Sequence, residues 1–91
     1  MRVIWSVRAI KRLNDIKDYI AIDSPQTAQK VVERIISTVE RLADFPLSGR
    51  MVPEFENRHI CEVIVRPYRV LYLYSEDIVE IVTVLHSKQI L

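Results

Sequence analysis

The sequence predicts a small α+β domain of order β-α-α-β-β-β, a helical hairpin packed on one face of a small antiparallel sheet. Three observations predict it. A helix period runs from Val7 and breaks once, at Asp23-Ser24-Pro25; apolar stretches of strand length follow Phe45; and the turns between those stretches are short enough to force antiparallel neighbours.

Met1 to Ser6 is short, β-branched and aromatic, and reads as a first strand. From Val7, Ile10, Leu13, Ile16 and Ile20 recur at helical steps with charged residues between them, which predicts an amphipathic helix ending near Ile22. Ser24 is placed to cap a second helix, with Pro25 at its first position, where a missing N–H costs nothing. In that helix Ala28, Val31, Val32, Ile35, Ile36, Val39, Leu42 and Ala43 share one face. So short a connection folds the two helices back on each other.

Phe45-Pro46 ends the second helix, and Pro46 to Pro53 reads as a loop turning on Ser48-Gly49-Arg50. His59–Val65, Tyr68–Tyr74 and Ile78–His86 read as three strands, separated by Arg66-Pro67 and Ser75-Glu76-Asp77.

Strict alternation assigns the strand faces. It groups Glu62 with Ile60 and Ile64. A two-residue turn at 66–67 sets Ile64 opposite Arg69, which puts Arg69, Leu71 and Leu73 on the Glu62 side. In the last strand Glu80 falls with Ile78, Val82, Val84 and His86, against Val79, Ile81, Thr83 and Leu85. The charged residues select the face that helices do not cover. That face is also rich in Ile, Val and Leu, so it reads as an open apolar surface that expects a partner.

With 91 residues, the chain is one domain, 1–91, and an apolar content of 49% supplies a core at that size. The single cysteine, Cys61, fits a reducing compartment. Charge returns too early after Met1 for a secretory leader, and no apolar run is long enough to span a membrane. A cytoplasmic protein is expected. Thirteen basic residues against 12 acidic ones leave a net charge of +1. A wide phosphate-binding surface is disfavoured by that balance, while a small basic cluster is not. His59 and Cys61 point to opposite faces of one strand and cannot share a metal, and no glycine-rich loop cradles a nucleotide; neither metal nor cofactor is expected.

Several strings fall in an order that resembles the RelE/ParE toxin superfamily. They are Trp5-Ser6 with Ala9, Leu13, Ile16 and Tyr19-Ile20; Ser24-Pro25 and Ala28; Leu42, Phe45-Pro46, Gly49-Arg50 and Val52-Pro53-Glu54; Tyr68-Arg69-Val70 and Tyr72; and Val84-Leu85-His86. The resemblance spans nearly the whole chain and implies the fold derived above. It also implies a toxin neutralised by a cognate antitoxin, a small DNA-binding protein encoded beside it, in a toxin–antitoxin hetero-oligomer.

The superfamily holds two kinds of target. Members similar to RelE cut mRNA on the ribosome; members similar to ParE poison DNA gyrase. Metal-free RNA cleavage needs a base for the 2′-OH, a cation on the phosphate and an acid for the leaving oxygen. For a nuclease, the resemblance places Arg69 on the phosphate, His86 as acid/base, and Glu62 or Glu54 as second carboxylate. The bland alternative is that Arg69 pairs with Glu62 or Glu80 across strands. For a non-enzymatic inhibitor, Arg50, Arg69, Leu71, Leu73, His86 and Lys88 are the expected partner-binding residues. Ser87 and Leu91 stand where the nucleases carry tyrosine or arginine, and only Lys88 is basic in that tail. Those departures and the low charge favour gyrase, with mRNA cleavage as the alternative.

Overall fold

A computed structural model describes residues 1–52 and 60–88. The elements are β1 (Arg2–Trp5), α1 (Val7–Ala21), α2 (Pro25–Arg41), β2 (Arg50–Met51), β3 (Ile60–Val65), β4 (Tyr68–Tyr74) and β5 (Ile78–His86). The predicted helical hairpin and antiparallel meander are both present. Two features go beyond the sequence reading. The loop after α2 contains the short strand β2, and β1 pairs in parallel with β5 at the far edge, giving the order β1-β5-β4-β3-β2. No described helix is long and apolar enough to cross a membrane.

Each helix begins on a serine. Ser24 Oγ accepts the Thr27 N–H at 3.2 Å, with Pro25 in the first turn. Ser6 Oγ accepts the Ala9 N–H at 3.0 Å and donates to the Val82 carbonyl at 2.8 Å. Its second bond ties the helix start to an irregularity in the sheet. Tyr72 pairs with Ile81 and Leu71 with Thr83, so Val82 is an extra residue in the β4–β5 ladder, a β-bulge. The Ser6 hydroxyl takes up the carbonyl of that extra residue.

The bulge overturns part of the predicted alternation. Beyond Val82 the β5 side chains exchange faces. Val84 packs in the helix-side core, and His86 meets Tyr68 there, instead of accompanying Glu80. Thr83 lies opposite Leu71, and Leu85 packs with Leu71 on the other face. The β3 and β4 assignments hold, and Ile64 lies opposite Arg69 as the two-residue turn required.

The main core joins Ala9 of α1 and Ile35 and Val39 of α2 to Cys61, Val70, Tyr72, Val79, Ile81 and Val84 of the sheet. Each fully buried aliphatic side chain there contributes about 1.5–3 kcal/mol. The opposite face is not open across its width, as the sequence suggested. Val52, Leu71 and Leu85 form a second small core, with Ile60 and Val82 packed against it. Among the described residues, exposed apolar side chains on this face lie towards its margins, at Ile64 and Ile4.

Candidate functional site

Glu62 of β3 stands at the centre of the second face because the two flanking strands each deliver a cation to it. Arg50 of β2 is its direct cross-strand partner, and Arg69 of β4 lies on the diagonal, two residues from the Leu71 that faces Glu62. Arg69 Nε donates to Glu62 Oε2 at 2.6 Å, and Arg50 Nε donates to Oε1 at 2.7 Å. The Glu62 side chain is fully buried, that of Arg69 is 9% exposed, and that of Arg50 is 67% exposed. Taking a carboxylate from water costs several kcal/mol; two short, charge-assisted bonds offset that cost. The bland reading of Arg69 is therefore the one the geometry realises, with Glu62 and not Glu80 as the partner.

Beside this network Tyr72 anchors the loop that leads into β2. It projects from the helix side of β4, donates its hydroxyl to the Pro46 carbonyl at 2.7 Å and accepts the Gly49 N–H at 3.0 Å. The loop approaches so closely that a Cβ at Gly49 would lie 2.5 Å from the Glu62 carbonyl and 2.4 Å from the Tyr72 hydroxyl. Burial pushes the Tyr72 phenol up to about 12. Its cross-strand neighbour Cys61 is buried and its thiol is raised too, again by desolvation. Sequence reasoning gave the Tyr72 hydroxyl no role. The signal it passed over was the chain's only glycine, next to a predicted partner-binding arginine.

The other expected site residues lie apart. Leu71 is buried under Val52 and Leu85, so it offers no partner a surface. Leu73 borders a groove of about 430 Å³ at the far end of that face, beside Ile4, Ile78 and Glu80. His86 projects on the helix side, its ring edge-on to Tyr68 with centroids 5.9 Å apart, and its Nδ1 accepts the Lys88 N–H at 3.3 Å. Arg69 and His86 are thus separated by the sheet, which corrects the expectation that they share a face. Glu54, His59 and Leu91 lie outside the described residues.

Chemically, the Glu62 centre is an ionised acceptor held between two guanidiniums, one sealed and one presented to solvent. A helical hairpin over one face of a five-stranded sheet, with such a centre on the other, defines the class of this small α+β domain. The family described as the ParE toxin of the type II toxin–antitoxin system parDE matches residues 3–91, and the chain belongs to that family. It is 41% identical over 88 residues to putative toxin Y4kP of Sinorhizobium fredii, covering 97% of this chain and 90% of that one. Toxin RelE2 of Caulobacter vibrioides is 33% identical over 89 residues, covering 98% of each. Among solved structures, a chain of the chromosomal ParDE TA system from P. aeruginosa superposes with a TM-score of 0.78 at 21% identity. That match covers 94% of this chain and 95% of that one, and speaks for the fold.

Proposed function

We propose that this toxin arrests growth by inhibiting DNA gyrase without cutting nucleic acid, and that a cognate antitoxin neutralises it in a hetero-oligomer. The observation that carries the reading is the separation of Arg69 from His86 by the sheet, with Arg69 committed to the buried Glu62. An RNA-cleaving centre needs its cation and its acid/base on one phosphate, within hydrogen-bond reach of the reacting oxygens. The candidate residues stand on opposite sides of a packed layer instead.

The antitoxin reading draws on the family, whose description names a paired system. The outer edge of β1 and the margins marked by Ile4 and Ile64 suit a segment that orders on contact.

A second reading, ribosome-dependent mRNA cleavage, is favoured by one observation, the name of the 33% identical relative Toxin RelE2. Adding the purified chain to a translation extract separates the two. Intact mRNA is the expected result. Cleavage at codons held on ribosomes, abolished by His86→Ala, overturns the proposal.

A further inference from the structure

Three chain segments meet at the turn between β3 and β4. Arg34 of α2 donates through Nη2 to the Arg66 carbonyl at 2.6 Å. The Ser87 N–H donates to the Pro67 carbonyl at 2.6 Å, which lays the residues after β5 along the same turn. Arg34, Arg66 and Lys88, all exposed, are therefore carried to one end of the molecule. Among the described residues no carboxylate pairs with any of the three, unlike Arg50 and Arg69. Three exposed cations thus gather around one turn.

Directly beside the turn, Tyr68 and His86 form one wall of a groove of about 550 Å³, with Arg12, Asp15 and Tyr19 of α1 on the other. Tyr19 is 77% exposed, so its ring serves no core. Aromatic rings next to cations make a platform on which an unstacked base rests while its phosphates are held. Asp15, the one carboxylate lining the groove, repels phosphate but accepts N–H groups from a base edge.

We infer that this end of the molecule is a contact site for single-stranded nucleic acid, seating a base in the Tyr19–Tyr68–His86 groove and flanking phosphates on Arg34, Arg66 and Lys88. A duplex fits less well, because its bases are stacked and out of reach of the rings. An acidic peptide would use the cations alone and leave the rings idle. The site lies on the side of the sheet away from Arg69 and stands whichever target the toxin has.

The test is fluorescence anisotropy of the full chain with labelled eight-nucleotide DNA and RNA strands, the matching duplex, and polyglutamate. Binding to single strands is expected, with a log–log salt slope near −2, about −0.7 for each of three phosphates. Arg66→Ala and Lys88→Ala should each reduce that slope by about 0.7. Tyr19→Ala should weaken binding about tenfold at an unchanged slope, since stacking is insensitive to salt. A preference between DNA and RNA identifies the source of the strand, and equal binding supports the shared base-and-phosphate chemistry. Failure to bind either strand overturns the inference. So does binding of polyglutamate as tight as that of the strands, with Tyr19→Ala indifferent, which marks an acidic-peptide surface.

Discussion

Arg69 donates its Nε–H to Glu62 at 2.6 Å along the diagonal of the β3–β4 ladder, and both side chains are withdrawn from water. Removing one member of such a pair leaves the other buried and charged. Glu62→Ala should destabilise the fold by about 3–5 kcal/mol, because Arg69 loses this carboxylate. Arg50→Ala should cost below about 1 kcal/mol, since the Arg50 side chain is 67% exposed and water already screens the pair. Urea denaturation of the two variants checks the ordering; equal losses would contradict it.

Gly49 lies under Tyr72 with no space for a side chain. Gly49→Ala forces its Cβ against a backbone carbonyl of β3, which cannot move aside as a flexible side chain would. Overpacking of this kind costs about 1–3 kcal/mol. The expected outcome is a lower melting temperature and loss of slow exchange at the Gly49 amide, read by hydrogen exchange.

The Tyr72 phenol titrates near 12 in the folded chain against 10.0 in the reference state, so the folded state holds that proton more tightly. Its contribution is complete well below pH 10 and is lost as pH rises towards 12. Tyr72→Phe should be less stable at neutral pH, having lost its bonds to Pro46 and Gly49. Its stability should also fall less steeply between pH 10 and 12 than that of the parent. Parallel slopes for the two proteins would refute the assignment.

Thr83 is buried, and its Oγ1 meets no hydrogen-bond partner among the described residues. An unpartnered buried hydroxyl costs about 1–3 kcal/mol, whereas a methyl in its place costs nothing in hydrogen bonding. Thr83→Val should leave stability unchanged or raise it by about 1 kcal/mol in a thermal melt. A loss of that size would mean that the hydroxyl has a role.

Element order was legible in the sequence because each signal was local. Ser24-Pro25 announced a helix start, and Arg66-Pro67 fixed the β3–β4 register that paired Ile64 with Arg69. Position in the sheet was not legible for β1, since four residues at a chain end carry no trace of the strand they will join. The face of His86 was misread for a different reason. Alternation is a rule for unbroken ladders, and one extra residue at Val82 inverts it for all that follows. The cue was Ser6, which both caps α1 and holds the bulge carbonyl, a contact between residues 76 positions apart. Glu62 was legible only as one of two partners for Arg69, beside Glu80, and the burial of Leu71 depended on Val52, placed by a loop whose two-residue strand has no periodicity to detect.

Action on gyrase is what we propose for this ParE-family toxin. The most direct measurement is gyrase supercoiling of relaxed plasmid with increasing amounts of the purified chain, with and without its antitoxin. Loss of supercoiling that the antitoxin reverses, with mRNA left intact in a translation extract, is the predicted result. Undiminished supercoiling at a large molar excess of active toxin, alongside cleaved mRNA in a translation extract, would contradict it.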